Sequence, residues 1–384
     1  MSSEVYAPGL EGIIAGETAI STVEGGLRYR GYPIAELAEN TQYEEVAYLL
    51  LYGELPTRRE LESFRRRLDE ARLLPGELVR FLRSLPPGIP YMDVMRTAVS
   101  MLAHFDLGYR SWPSEPTAAG ALERCIQSTR RIAERLLAQM ASCLAAYYRL
   151  CRGLEPLSPR SGLSHAAQFF YQLNGEVPDE LAVRACDVSL ILYAEHEFNA
   201  STFTARVITS TMSDPYSAVV GALGALKGPL HGGANEHVMP LLRRIGSPER
   251  VETVLQEMLA RKERVMGFGH RVYKTGDLRA RILTQWAKRL AEQRGETLWE
   301  DIAQRVEDYL RQQKNLYPNL DWPAGRLYYY LGLPMELYTP IFALSRVAGW
   351  CAHVVEQWQA NRLIRPRARY IGPPLRPVVP LEAR

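Results

Sequence analysis

Residues 118–151, AAGALERCIQSTRRIAERLLAQMASCLAAYYRLC, decide the fold class. Leu122, Ile126, Ala133, Leu137, Met140, Leu144 and Tyr148 recur at roughly helical spacing, so one long helix with an apolar face is expected. Comparable patterns flank it. Residues 43–52 are apolar and helical, stopped by Gly53 and Pro56. Thr57 is placed to cap a helix bearing the charged face of 58–72. Residues 92–104 follow a loop punctuated by Pro86, Pro87 and Pro90. The 181–194 segment is apolar nearly all round, which implies burial on most sides. Residues 217–226, SAVVGALGAL, are small enough to let helices approach closely, as a subunit interface requires. Segments 248–265, 279–294 and 297–314 read as amphipathic or polar-faced helices, the first capped by Ser247 and Glu249. Residues 334–358 form a long apolar helix carrying Arg346, with a distortion expected near Pro340.

The β signal is minor. Residues 19–23 and 27–32 flank Glu24-Gly25-Gly26 as a hairpin. Five prolines in 366–380 make the tail extended. The expected fold is therefore all-α with a small N-terminal hairpin, in two domains or one large one for 384 residues. A net formal charge of +3 gives no reason to expect nucleic-acid binding, yet leaves room for a local basic pocket. Cys125, Cys143, Cys151, Cys186 and Cys351 are odd in number and form no CxxC, which suggests buried thiols in a reduced, cytoplasmic protein. No secretory signal is visible at the start, and no apolar run is long enough to span a membrane.

The chemistry concentrates in four segments: AEHEFNASTF around His196, KGPLHGGANEH around His231, MGFGHRVYK around His270 and YPNLDWPAG around Asp321. Three histidines at glycine- or asparagine-rich junctions are well placed to meet a small ligand. Two glycines follow His231, so backbone can approach a ligand there. Asn235 and Glu236 suit the start of a following helix, whose positive end would favour a neutral imidazole able to donate to a carbonyl oxygen. A turn histidine that only ties down backbone fits the same spacing. Arg264, Arg271, Lys274 and Arg279 fall within sixteen residues and suit a ligand with several anionic groups, or a solvated basic loop. Leu320 and Trp322 would partly desolvate Asp321 and favour proton acceptance, unless it is an ordinary loop or N-cap aspartate. Arg346, inside an apolar helix, needs a carboxylate partner from the protein or from a ligand. His231, Glu236 and His237 offer a metal reading, but HxxxxEH is not the HExxH arrangement, so no metal is expected. Together the residues describe a site for a small dianion with a proton-abstraction step.

These blocks, in this order, resemble citrate synthase in its short bacterial and archaeal form. The resemblance runs from GLEGIIAGETAIS and RGYPIAELA through YEEVAYLLLYGELP to NRLIRPRARYIGP. It implies an all-α fold in which residues 1–230 and 331–384 form a large domain and 231–330 a small one that closes over the site. It implies that Asp321 takes a proton from the methyl of acetyl-CoA, that His231 stabilises the enol, and that His270 polarises and protonates the oxaloacetate ketone. His196, Arg279 and Arg346 match oxaloacetate ligands, and Arg264, Val265, Met266, Gly267 and Phe268 match the coenzyme A loop. Arg365 matches an arginine that reaches the other subunit's site, so a homodimer is the smallest expected active unit. Coenzyme A enters as a thioester substrate, with no tightly bound cofactor and no nucleic-acid or membrane partner. Pro90-Tyr91-Met92 stands where the family often has His-Pro-Met, and Ala324 where a serine is frequent. The N-terminal extension of longer bacterial forms is lacking, so NADH inhibition of their type is not expected. Two rivals remain at this level: 2-methylcitrate synthase, which shares the motifs but uses propionyl-CoA, and a non-catalytic assembly protein built on 217–226 and the proline-rich tail.

Overall fold

Residues 338–358 organise the molecule. In the computed structural model, which describes residues 6–109, 112, 120–270, 272–273 and 276–384, they belong to the helix Tyr338–Gln359, and every one of them except Glu356 is buried. The helix is straight where a distortion was expected. A 3-10 turn, Met335–Leu337, precedes it, so Pro340 falls in the first helical turn, where its missing N–H has no helical acceptor. The Glu236 carboxylate accepts from both the hydroxyl and the backbone N–H of Thr339 and so caps this end.

The 118–151 stretch forms the helix Ala121–Leu150, which packs along the central helix. Its first two expected residues, Ala118 and Ala119, lie outside the described residues. Ile126, Ala133, Leu137, Met140 and Leu144 are buried as the spacing requires. Leu122 is exposed, because the buried stripe reaches the first turn at Ala121 and Cys125 instead. Thr57 caps Arg58–Ala71 in a full capping box with Glu60. The expected helix 248–265 is shorter: a 3-10 turn leads into Val251–Ala260, and Lys262 leaves helical space at φ 57. In Pro215–Leu226 the small residues bury Ala218, Ala222 and Leu223 within the chain, while Ser217 and Gly224 face outward. Cys151 is exposed where the long helix ends, unlike the other four cysteines.

The hairpin is a three-stranded antiparallel sheet, β1 Ser21–Thr22, β2 Arg28–Tyr29 and β3 Tyr32–Pro33. The strands are short because the sheet is tied down by side chains. Ser21 Oγ donates to Glu195 at 2.9 Å, Val23 N to Glu197 at 2.6 Å, and Tyr29 Oη to the Glu195 carbonyl at 2.9 Å. Residues 360–380 carry no regular structure and are almost wholly exposed. Among the described residues no helix is long and apolar enough to cross a membrane.

Apolar burial divides into two clusters. The larger spans most helices, including Leu283, Ala287 and Leu290 of Leu278–Arg294. The smaller joins Val238–Ile245, Val251–Ala260 and Leu298–Lys314 around Ile245, Leu255, Ile302 and Trp322. Beside it, Arg326 is fully buried, with Glu300 at 2.8 Å and Glu307 at 3.8 Å. Removing Glu300 leaves that charge poorly compensated. The Glu300→Ala variant is expected to lose about 3 kcal/mol of stability, read from its urea unfolding midpoint.

Candidate active site

Leu320 packs into the larger cluster and Trp322 into the smaller, so Asp321 between them sits at the seam. It opens the helix Asp321–Tyr330 and faces a cleft of about 920 Å³. His196, His231, His270, Arg279 and Arg346 line the same cleft, which brings together residues spread over the second half of the chain.

Burial acts on Asp321 most strongly and raises its pKa to about 6, against the opposing pull of the Tyr193 hydroxyl, Arg279 and Arg346. The phenol donates to Oδ1 at 2.6 Å. Desolvation by the neighbouring apolar residues was legible in the sequence; Tyr193 was not.

His231 does meet a helix N-terminus, but not that of the segment following it. Asn235–His237 is only a 3-10 turn. The helix concerned is Ala200–Ser210, capped by Asn199. Its Ser201 N–H donates to His231 Nε2 at 3.2 Å, with Ser201 Oγ 2.8 Å away. An N–H can only donate, so the Ser201 N–H favours a lone pair on Nε2 and the ring proton on Nδ1. Burial and then Arg346 lower this pKa to about 4, which keeps the ring neutral.

His270 takes the opposite tautomer. Its Nδ1 accepts from Val272 N at 3.0 Å and Tyr273 N at 3.3 Å, which places the proton on Nε2. His196 Nε2 lies 3.0 Å from Tyr273 Oη, and its ring centroid is 5.1 Å from that of His270. Burial, Arg279 and His270 push the His196 pKa well below its usual value. The cleft thus contains neutral imidazoles beside one carboxylate of raised pKa.

The two arginines differ. Arg279 is buried and gripped by Asp277, with Nε at 3.1 Å from Oδ1 and Nη2 at 2.8 Å from Oδ2. Arg346 is 2% exposed and has no carboxylate within 4 Å among the described residues; its Nε donates to the Tyr193 carbonyl at 2.5 Å. Of the two partners left open for Arg346, the geometry favours a ligand. Of the four cations of 264–279, the two in the described residues are separated in setting. Arg264 is exposed, Arg279 is ion-paired inside, and Arg271 and Lys274 lie outside the described residues.

The Arg264, Val265, Met266, Gly267 and Phe268 run does not line the cleft but braces it. Gly267, at φ 87, packs against Trp322, where a Cβ would come within 3.1 Å. Phe268 packs against Trp322 with the rings tilted and centroids 4.7 Å apart. Asn319 ties the two loops together: its N–H donates to Gly267 O at 2.9 Å, its Nδ2 to Gly269 O at 3.0 Å, and its Oδ1 accepts from Asp321 N at 3.0 Å. Arg365 is exposed in the tail and does not line its own chain's cleft. The metal trio does not converge, since Glu236 caps the central helix and His237 is exposed. Among the described residues no group of three metal-ligating side chains occurs.

A carboxylate at the seam, two neutral ring donors and a buried unpaired guanidinium are what enolisation next to a carboxylate ligand requires. The family described as citrate synthase, C-terminal domain, matches residues 9–367. The chain belongs to the citrate synthase family. It is accordingly an enzyme of the kind that transfers an acyl group with coenzyme A substrates. Citrate synthase 2 of Bacillus subtilis is 44% identical over 98% of both chains. The 2-methylcitrate synthase of Shewanella oneidensis is 43% identical over 100% of this chain and 99% of its own. A solved ternary complex of citrate synthase from Thermoplasma acidophilum with carboxymethyl coenzyme A and oxaloacetate superimposes with a TM-score of 0.89 at 35% identity, covering 99% of this chain and 100% of that one. The residues that sequence reasoning missed, Tyr193, Asn199, Ser201, Tyr273 and Asp277, each lie within five positions of a segment it singled out, and the short Asp-x-Arg spacing before a helix was a signal for Asp277.

Proposed function

We propose that the chain condenses acetyl-CoA with oxaloacetate and hydrolyses the resulting thioester to citrate and coenzyme A. The observation that carries this reading is the convergence of Asp321, His231 and His270 on one cleft with Arg346 unpaired beside them. Asp321 is the base that takes the acetyl methyl proton. His231 donates from Nδ1 to the thioester oxygen as charge builds there, its tautomer held by Ser201. His270 donates from Nε2 to the ketone of oxaloacetate and supplies a proton as the carbon–carbon bond forms. Arg346, Arg279 and His196 hold the dicarboxylate.

The 231–330 segment closes over the remainder as a small domain and dries the site, which strengthens each of these interactions. Arg264, Val265, Met266, Gly267 and Phe268 meet coenzyme A. Arg365 completes the site of a second copy, which makes the active unit a homodimer acting in the cytoplasm. Use of propionyl-CoA is the second reading, supported by 2-methylcitrate synthases at the same level of identity as citrate synthases. One methylene is worth only about 1–3 kcal/mol of discrimination, within reach of a few side chains.

Thiol release with oxaloacetate, at matched acetyl-CoA and propionyl-CoA, tests both readings. A higher kcat/KM for acetyl-CoA is expected; a preference for propionyl-CoA moves the assignment to 2-methylcitrate with the same residues in the same roles. The Asp321→Asn enzyme is expected to keep its fold and lose at least about 10³-fold in turnover. Near-normal turnover there removes Asp321 as the base. A base must be deprotonated to act, so kcat should fall as pH drops through about 6. His231, neutral down to about 4, adds nothing to that limb.

A further inference from the structure

Asp321 is held by a single side chain. Tyr193 donates to Oδ1 at 2.6 Å, while among the described residues Oδ2 has no donor. That second oxygen belongs to a residue lining the cleft. Tyr193 is itself fixed at two points, with a third group close to its hydroxyl. Its ring packs on Phe342 with centroids 4.3 Å apart. Its carbonyl accepts from Arg346 Nε. Its hydroxyl lies beside the side chain of Asn235, a fully buried amide with neither end hydrogen-bonded among the described residues.

We propose that Tyr193 is a positioning residue for the proton-abstraction step: it clamps one oxygen of Asp321 so that the other faces the acyl methyl. The inference rests on Asp321 being the base. A free carboxylate turns about its last bond, and a short charge-assisted hydrogen bond at one oxygen stops that rotation. Carbon acids gain most from such restraint, because the methyl offers no hydrogen bond to orient the base. The phenol stays a donor throughout, since burial and the charge of Asp321 raise its pKa far above the working range. Other charged groups act on Asp321 from Leu278–Arg294 and its cap (Arg279, Asp277) and from the central helix (Arg346). Tyr328 acts from its own helix. Among the described residues only Tyr193 bonds to its carboxylate. The same residue therefore sets the direction of the base through its side chain and of Arg346 through its backbone.

The test compares Tyr193→Phe, Asn235→Ala and Asp321→Asn with the unaltered enzyme, each checked by circular dichroism. Phenylalanine keeps the ring and its contact with Phe342, so folding is preserved. A carboxylate that loses a donor holds its proton more tightly, so the acid limb of kcat should move up by about one pH unit in Tyr193→Phe. Its kcat should fall about tenfold with KM little changed. Asn235→Ala should move the limb in the same direction by less. An unmoved acid limb in Tyr193→Phe, or a change confined to KM, overturns the role of Tyr193 while an inactive Asp321→Asn leaves the base assignment standing. An active Asp321→Asn overturns both.

Discussion

A guanidinium with no carboxylate beside it among the described residues governs this structure. Arg346 lies in a helix buried on every side, and burial lowers its pKa to about 10, which still leaves it charged at neutral pH. An uncompensated buried charge is costly. Glu195 relieves it only in part and through space, since its Oε1 holds Ser21 and His353 at 2.9 Å each and no ion-pair contact with Arg346 forms. What Arg346 receives is one carbonyl and the face of Phe342, 4.7 Å from its Cζ. A ligand carboxylate in the cleft would offset the deficit. Arg279 plays the complementary part. Asp277 already balances its charge, and it contributes a rigid fork rather than net attraction.

Burial first, and the neighbouring guanidinium groups second, keep the imidazoles neutral. A third cation there would be repelled as well as desolvated, and both effects lower the pKa values of His196 and His231. Backbone N–H groups then choose the tautomers, with His231 protonated on Nδ1 and His270 on Nε2. Each ring has one donor in a fixed place. Asp321 is left as the cleft carboxylate with a pKa near the working range, so acid–base roles separate by environment and not by residue type alone.

The parts legible in the sequence were those set by local pattern. Helical spacing placed the Ala121–Leu150 helix, and glycine-rich turns marked His231 and His270. Pro340 was misjudged because apolar residues continue through the preceding 3-10 turn, so nothing in the pattern marks where the helix begins. The spacing points to a helix downstream of His231, whereas the helix facing it is Ala200–Ser210, which meets the ring through Ser201 thirty residues upstream. Tyr193 was invisible for the same reason: it touches Asp321 across 128 positions. Contacts of that range follow from packing, and a single chain's spacing does not encode them.

Asn319 shows how local and long-range constraints meet. It fastens the Gly267–Gly269 backbone to the start of the Asp321 helix with three hydrogen bonds, and the close fit of Gly267 on Trp322 adds a steric one. Trp322 belongs to the smaller apolar cluster, Tyr193 and Arg346's helix to the larger. The His270 and Asp321 segments are therefore held as one unit beside groups anchored in the larger cluster. The Tyr193–Asp321 bond spans that seam. It is the contact through which the packing of both clusters sets the aim of a carboxylate.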